Sequence, residues 1–323
     1  RAGLDRELRG NVAGTFVGCR GRRSERIMCR ENMTRSARTH SVVLAACVAL
    51  VACGAPVVHE DVPYDSRFEA TKLDVFAPDD GGSARPAVML IHGGAWVTGS
   101  KRQMRSAAER LARSGYVAAA VNYRLLPDGA FPHMFQDVGC ALAFLQTHSD
   151  RYGIDPERIA VLGYSAGGHL AALLGVAWDE PAFEPTCSAG APSAPAAVVP
   201  GAGVYDFRGN DSALAEELLG GEPNEVPENY ERASPLAMVD RKEPPFLLIG
   251  GAADWLVDED QALEMRDTLR AAGGTADLLL LAGTGHVIGP SVDPGELSAG
   301  VSIETPEAWL AIADFLARTV GEP

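Results

Sequence analysis

The sequence is poor in positive charge and lacks common signatures of metal and nucleotide binding. Its 323 residues include 28 lysines and arginines against 43 aspartates and glutamates, a net charge of −15. This balance argues against nucleic acid and polyanions as partners. No CxxC or HExxH spacing occurs, and no G-x-G-x-x-G follows a strand-like run. The sequence therefore implies no metal ion and no nucleotide cofactor.

The N-terminal region also has no apolar run long enough to span a bilayer, which takes about 20 residues. The apolar stretch from Val42 to Val51 is shorter and follows two arginines, a pattern typical of a secretory signal. The stretch ends in Leu-Val-Ala-Cys at 50–53, which matches a bacterial lipobox. We therefore expect Cys53 to carry a lipid that anchors the protein to the membrane of the bacterial cell envelope, outside the cytoplasm. A plain secretory signal, and hence a secreted protein, is the alternative.

These features divide the chain into three predicted parts. Residues 1–52 form an upstream leader and a signal peptide that is cleaved, residues 53–67 form a tether, and residues 68–323 form the folded domain. Beyond residue 52 the chain has 39 acidic and 18 basic residues. The length of this part is normal for one α/β domain.

Few cysteines remain beyond Cys53, namely Cys140 and Cys187. Outside the cytoplasm the two could form a disulfide. Cys140 lies in a predicted amphipathic helix, where a buried free thiol is equally ordinary. The sequence leaves both interpretations open.

Apolar strand-like runs alternate with helical patterns along the folded part. Strands are predicted near 69–76, 86–91, 116–122, 158–163, 197–203, 245–250 and 276–281. Helices are predicted near 102–114, 134–148, 166–176, 212–219, 258–272 and 305–319. This alternation predicts an α/β fold with a mostly parallel sheet and helices on both faces. The insertion at 207–241 is predicted to form a small cap.

A serine flanked by glycines, Gly-Tyr-Ser-Ala-Gly at 163–167, stands between a predicted strand and a predicted helix. A serine hydroxyl is a weak nucleophile that must be exposed and aimed at a base. A sharp strand-to-helix turn achieves this, and Gly163 and Gly167 remove side chains that would collide across it. The pattern predicts Ser165 as a nucleophile.

A base and an orienting acid are expected later in the chain, in the order Ser, Asp, His. His286 follows the predicted strand at 276–281 in a glycine-containing loop, and Asp254 lies at the carboxyl end of the strand at 245–250. Catalytic groups gather at such strand ends in open α/β sheets. We predict His286 as the base and Asp254 as the acid. Asp258 is the alternative acid, although it is better placed to begin the next helix.

Donors for an oxyanion are predicted after the strand at 86–91, which runs into His-Gly-Gly-Ala-Trp at 92–96. Adjacent glycines let backbone amides approach a carbonyl oxygen closely. Gly93 and Gly94, with the amide of Ala166, are predicted to form an oxyanion hole. His92 is expected to brace this loop rather than to transfer protons. For Trp96 the sequence leaves open whether the ring lines a pocket or fills the core.

Together these motifs resemble the α/β-hydrolase superfamily, and within it the carboxylesterases with an HGG oxyanion loop. The resemblance covers about residues 68–320, and within this group the chain looks like the small-cap feruloyl esterase-like, acetyl esterase and kynurenine formamidase-type enzymes. It implies an α/β-hydrolase fold with a small cap, in which Ser165, Asp254 and His286 are catalytic and no cofactor is needed.

The sequence thus predicts a serine esterase that forms an acyl-enzyme on Ser165 and acts on small-molecule esters, with short acyl groups preferred. An arylformamidase-like amidase is one alternative, and a peptidase is another. A surface lipoprotein that uses a hydrolase scaffold only for binding is an alternative of a different class. Neither the natural ester nor the oligomeric state follows from the sequence.

Overall fold

Eight strands form one sheet in the part of the chain that the structure describes. The computed structural model describes residues 55–79, 82, 84–240, 243–286 and 305–323. The strands are β1 (Val57–Pro63), β2 (Lys72–Ala77), β3 (Arg85–Ile91), β4 (Val117–Val121), β5 (Ile154–Tyr164), β6 (Ala197–Gly201), β7 (Phe246–Gly251) and β8 (Ala276–Leu281). Their order across the sheet is β1-β2-β4-β3-β5-β6-β7-β8. β2 pairs antiparallel with β1 and β4, and all other pairs are parallel.

Helices connect these strands. Within the described ranges they are α1 (Arg105–Arg113), α2 (His133–Thr147), α3 (Ser149–Tyr152), α4 (Ala166–Ala177), α5 (Ala213–Leu219), α6 (Pro227–Arg232), α7 (Pro235–Met238), α8 (Glu259–Ala271) and α9 (Pro306–Thr319). Helices α5, α6 and α7 lie in the insertion between β6 and β7, where the sequence predicts a cap.

The sheet is buried on both faces because its central strands are apolar on both. Along β3, Met89 and Ile91 belong to the hydrophobic cluster that includes α2 and α4, whereas Val88 and Leu90 belong to the cluster that includes α1 and α9. Side chains alternate between the two faces of a strand. Two helical layers therefore cover one sheet, and the predicted α/β class with a mostly parallel sheet is confirmed. Every residue of α4 is buried, which fixes this helix against β5 and β6.

The structure differs from the prediction at the first strand. Residues 57–63, predicted as part of a tether, form β1 and pair with β2, so the sheet begins before residue 68. The segment lies at the edge of the sheet, and its exposed or half-buried side chains include two acids. An edge strand of this kind lacks the continuous apolar run by which a buried strand is recognised.

A disulfide joins Cys140 in α2 to Cys187 in the loop between α4 and β6. This bond answers the question that the sequence left open. Both cysteines belong to the hydrophobic cluster that includes α2 and α4, so the bond links two segments on the same face of the sheet.

Cys53, the predicted lipidation site, and the predicted leader and signal peptide at 1–52 lie outside the described residues. Both remain predictions. Within the residues that are described, no helix combines the length and the apolar character needed to cross a membrane.

Candidate active site

Ser165 occupies a strained turn between the end of β5 and the start of α4. Its backbone has φ 54° and ψ −120°, a region that residues with a side chain rarely adopt. Its amide donates to the carbonyl oxygen of Gly201 on β6 at 2.8 Å, and its own carbonyl accepts from the amide of His169 at 3.0 Å. The turn is therefore held from the neighbouring strand and from the first turn of α4.

The two flanking glycines make this turn possible. A Cβ at Gly163 would lie 2.0 Å from the carbonyl oxygen of Gly167, and a Cβ at Gly167 would lie 2.2 Å from that of Ile91. Either methyl group would overlap backbone atoms that cannot move independently. The steric reason for both glycines that the sequence suggested is present in the structure.

Three distant side chains meet in one hydrogen-bonded line. Ser165 Oγ lies 2.9 Å from His286 Nε2, and His286 Nδ1 lies 2.8 Å from Asp254 Oδ2. Because an ionised carboxylate can only accept, Nδ1 carries the proton, which leaves Nε2 to accept from the serine hydroxyl. The side chains of Asp254 and His286 are only 2% and 6% exposed. This arrangement can draw a proton from the serine as its oxygen attacks an electrophile.

The loops that carry the acid and the base are bound to each other. Asp254 follows β7 and His286 follows β8, as predicted, and the amide of Ala253 donates to the carbonyl oxygen of Thr284 at 3.0 Å. The second carboxylate oxygen of Asp254 accepts from two amides of its own loop, Leu256 and Val257, each at 2.9 Å. The carboxylate is thereby oriented toward the imidazole.

The alternative acid has a different partner. Asp258 is the N-cap of α8, and its side chain accepts from the amide of Asp260 at 2.9 Å. Asp258 therefore begins the next helix, and the structure brings Asp254 rather than Asp258 to the imidazole.

The predicted oxyanion donors lie beside the serine. A Cβ on Gly93 would be 3.2 Å from the Cβ of Ser165, which places the glycine loop against the nucleophile. Gly94 has φ +122°, and a Cβ there would lie 2.0 Å from the carbonyl oxygen of Thr98. Within the described residues, the amides of Gly93, Gly94 and Ala166 donate to no protein acceptor. Ala166 is also the first residue of α4, where helix dipoles favour negative charge.

The buried ring of His92 packs against the oxyanion loop. Its Nδ1 lies 2.8 Å from the carbonyl oxygen of Gly93, and its ring stacks on Tyr123 with 4.4 Å between centroids. Burial lowers the pKa of His92 to about 4, so the imidazole is neutral at pH 7. The ring thus holds the loop without carrying charge, in agreement with the role expected from the sequence.

A cavity of about 320 Å³ opens beside Ser165. Trp96 and Phe207 form part of its wall, together with Leu214 of the cap and Val257 of the acid loop. Trp96 is also only 6% exposed, so its ring both lines the pocket and belongs to the core. The cavity is mostly apolar, which suits the hydrocarbon part of a small ligand.

Comparison with known proteins assigns the chain to a family. The family model described as BD-FAE matches residues 73–269, more than half of the chain. The chain belongs to the BD-FAE family. This match spans the oxyanion loop, the serine turn and Asp254, and it ends before His286.

Curated relatives include two from Mycobacterium tuberculosis (strain ATCC 25618 / H37Rv). The probable carboxylic ester hydrolase LipM is 36% identical over 65% of this chain and 51% of its own length. The esterase LipC is 34% identical over 62% of this chain and 52% of its own. The isoprenylcysteine alpha-carbonyl methylesterase ICME of Arabidopsis thaliana is 28% identical over 71% and 55%. This chain therefore spans about half the length of the curated relatives that it matches.

Solved structures show the same fold. A truncated carbohydrate esterase from gut microbiota is 25% identical, with a TM-score of 0.70 over 82% of this chain and 96% of that one. The esterase Est2 of Thermogutta terrifontis is 23% identical, with a TM-score of 0.64 over 82% and 92%. The second likeness concerns the fold alone. The α/β-hydrolase fold that the sequence motifs imply is confirmed.

Sequence reasoning missed one part of the site, a cluster of three rings beneath the cavity. His169 of α4 contacts Trp96 and Phe207 with ring centroids 5.5 and 5.0 Å apart, and the last two rings lie 5.7 Å apart. The available signal is a histidine four residues after the serine in an otherwise apolar helix. Its partners lie on other segments, so spacing alone could not identify them.

No group of three or more histidine, cysteine, aspartate or glutamate side chains within the described ranges is arranged to hold a metal ion.

Proposed function

We propose that this BD-FAE protein hydrolyses carboxylic esters through an acyl-enzyme on Ser165. The observation that carries the proposal is the hydrogen-bonded line from Ser165 through His286 to Asp254, next to three backbone amides that donate to no acceptor within the described part of the chain. The ester hydrolase names of the relatives support it. Because the chain spans about half of those relatives, the activity is a proposal for this protein rather than a transfer from them.

The reaction follows from the positions of these groups. As Ser165 Oγ attacks the acyl carbon, His286 Nε2 takes its proton, and Asp254 stabilises the imidazolium that forms. The carbonyl oxygen becomes an oxyanion beside the amides of Gly93, Gly94 and Ala166, which stabilise its charge. His286 then protonates the leaving alcohol. Water, deprotonated by His286, then attacks the acyl carbon; the bond to Ser165 Oγ breaks, His286 returns the proton to Oγ, and the acid is released.

We further propose that short acyl groups are preferred. At about 320 Å³ the cavity lies near the lower end of the roughly 300–1,000 Å³ usual for ligand pockets. The large rings of Trp96 and Phe207 occupy part of its wall. Besides Ser165, the lining includes Asn210 and Ser212, whose oxygens are engaged within the cap: Asn210 accepts from the amide of Ser212, and Ser212 accepts from the amide of Ala215. These contacts leave a small apolar pocket for the acyl chain.

The direct test is the Ser165→Ala variant with p-nitrophenyl acetate as substrate. We expect kcat/KM to fall by at least roughly 10³-fold while the protein stays folded, because the attacking atom is gone. Ser114→Ala, at the end of α1, is the matched control and should keep wild-type turnover. Ester turnover that survives in Ser165→Ala would contradict the proposal.

A substrate panel separates the alternatives that the sequence left open. p-Nitrophenyl esters from acetate to decanoate test the acyl preference, and N-formylkynurenine and a peptide substrate test amide cleavage. We expect acetate and butyrate esters to be cleaved fastest. Faster turnover of the formamide would favour the amidase, and a folded protein inert toward every substrate and toward a fluorophosphonate would favour a binding protein.

A further inference from the structure

We propose that His169 is a positioning residue for the oxyanion hole, because its buried ring joins the serine helix, the strained Trp96 of the oxyanion loop and the cap. This inference rests on the proposed esterase function. It assigns a role to a side chain whose ring nitrogens, within the described residues, form no hydrogen bond to Ser165 Oγ or to the predicted donor amides.

His169 is fixed in one orientation and one tautomer. The side chain is 1% exposed, and its Nε2 lies 2.8 Å from the carbonyl oxygen of Ala233. Because a carbonyl only accepts, Nε2 carries the proton. Burial lowers the pKa of His169 to about 4, so the ring is neutral in the range in which an esterase would work. Its backbone is tied to the nucleophile as well, since its amide donates to the carbonyl of Ser165.

The oxyanion loop needs an outside support. Ala95 and Trp96 have φ +51° and +61°, a left-handed backbone that residues other than glycine rarely adopt. Each such residue costs about 1–2 kcal/mol and persists only where its surroundings hold it. The indole of Trp96 and the ring of His169 form a T-shaped pair with 80° between their planes, and the indole also contacts Phe207. The contacts between these rings therefore help to hold Ala95 and Trp96 in backbone conformations that would otherwise be unfavourable.

The cap supplies the other side of this contact. Ala233 ends α6, is fully buried, and donates its own amide to the carbonyl of Asn229 at 2.8 Å. The next residue, Ser234, accepts at Oγ from the amide of Phe207 at 2.8 Å. His169 therefore contacts the cap at two points, the carbonyl oxygen of Ala233 and the ring of Phe207. The amide of Phe207 is in turn hydrogen-bonded to Ser234, the residue after Ala233. A shift of the cap would reach Trp96 through the imidazole.

A purely structural role would be met more simply by an apolar side chain. Within the described residues, His169 Nδ1 and Trp96 Nε1 are buried without a hydrogen-bond partner. An unpaired buried polar atom costs about 1–3 kcal/mol. A leucine at 169 would avoid the cost for Nδ1, but it could not donate a hydrogen bond to Ala233 or form the T-shaped ring contact with the indole. The retained polar ring favours a role in aligning the loop.

Three substitutions separate the two contacts of the ring. His169→Phe keeps the aromatic contacts and loses the bond to Ala233, whereas His169→Gln keeps an N–H donor and loses the ring. His169→Ala loses both. Removing one oxyanion donor costs roughly 10²–10³-fold in kcat. For a misaligned donor we expect losses of about 30- to 100-fold for Ala and of about tenfold for Phe and Gln.

The experiment measures kcat and KM for p-nitrophenyl acetate and the inhibition constant of a trifluoromethyl ketone, whose adduct places an oxyanion at the donors. We expect kcat to fall with KM unchanged within about twofold, and ketone affinity to fall by the same factor as kcat/KM. The pH midpoint of kcat/KM should not move, since His169 stays neutral. Leu316→Ala, a buried truncation on α9 in the opposite helical layer, controls for lost stability and should keep kcat.

Several results would overturn the inference. A kcat in the folded His169 variants that matches Leu316→Ala would make the residue structural only. A higher KM with unchanged kcat would make it part of substrate binding, and a shifted pH midpoint would indicate proton chemistry. If His169→Ala does not fold, the Phe and Gln variants decide. A failure of the proposed function is distinguishable, because wild-type protein would then show no ester turnover at all.

Discussion

The two sides of the candidate site are built in different ways. On one side, the Ser165 turn and the oxyanion loop lie against the central strands. Backbone atoms there pack so closely against several glycines that a Cβ at those positions would overlap them. On the other side, Asp254 and His286 stand on loops beyond the last two strands, next to Trp255 and Leu256, which are 79% and 57% exposed.

The two sides differ in where the backbone is strained and in how tightly neighbouring atoms restrict it. The serine side holds unfavourable backbone angles at Ser165, Ala95 and Trp96; Trp96 is buried, Ser165 is half-buried and Ala95 is exposed. The acid and base loops are held by hydrogen bonds among their own residues and by one close backbone contact, since a Cβ on Gly251 would lie 2.3 Å from the carbonyl oxygen of Thr284. We therefore expect an added methyl group in the serine turn to cost more stability than one in the outer loops that carry Asp254 and His286, whereas replacing a reacting side chain on either side should alter chemistry with little loss of stability.

The largest expected effect comes from a methyl group in the serine turn. Gly163→Ala places a Cβ 2.0 Å from a backbone oxygen, so we expect a loss of more than about 4 kcal/mol in the free energy of unfolding, or no soluble protein. Gly283→Ala on the base loop is the matched control. Gly283 has φ +64° and open space around its Cβ position, so the cost should be about 1 kcal/mol. Urea unfolding compares the two, and equal losses would break the distinction between the sides.

On the acid–base side, Asp254→Asn should lower kcat/KM by roughly 10³–10⁴-fold with little change in stability. The amide has the shape of the carboxylate but cannot stabilise the imidazolium of His286 or hold its tautomer. Ester kinetics and urea unfolding of the same preparation check both halves of this prediction. Asp258→Asn is the control. An equal loss of activity in that variant would indicate that Asp258 also acts as the catalytic acid.

The disulfide tests whether the serine side depends on distant cross-links. Replacing Cys140 and Cys187 by alanine should lower the free energy of unfolding by about 2–4 kcal/mol, because the bond closes a loop of 47 residues. Turnover per folded molecule should not change, since the serine turn is held by its own strands. Thermal unfolding and active-site titration measure the two quantities. A parallel loss of kcat would show that the turn needs the cross-link.

Acid should weaken the serine side through its two buried histidines. The folded pKa of His92 and of His169 is about 4, below the usual 6.5, so the unfolded chain binds more protons between these values. Stability is therefore full above pH 6.5 and is lost as the pH falls toward 4. Each histidine should contribute about 2 kcal/mol of the loss between pH 7.5 and 5. Urea unfolding at both pH values checks this.

The control for that pH prediction is His169→Phe, which should lose about 2 kcal/mol less than wild type over the same pH interval. An identical pH dependence in the variant would mean that the buried imidazole does not govern it.

How much the sequence predicts depends on how local the signal is. Strands β3 and β5 are apolar on both faces, and the turn at 163–167 combines a steric need with a chemical one, so short windows are enough to identify them. The order of Ser165, Asp254 and His286 follows from the fold that such a turn indicates. These features are local in sequence or fixed by topology.

What the sequence could not supply depends on contacts between distant segments. β1 has a polar edge pattern that matches a tether as well as a strand, and only its pairing with β2 distinguishes the two. The bond between Cys140 and Cys187 requires knowing that α2 meets the loop after α4. The contact of His169 with Trp96 and the cap requires the positions of three separate segments, none of which is encoded near the histidine.

The most direct test of Ser165 as the nucleophile is to identify the residue that a fluorophosphonate modifies, with ester turnover followed in the same sample. We expect one adduct, on the peptide that contains Ser165, and a loss of p-nitrophenyl acetate hydrolysis in proportion to labelling. Ser165→Ala should take up no probe. Ester turnover that continues in fully labelled protein, or an adduct on another residue that accounts for the loss, would contradict the central claim.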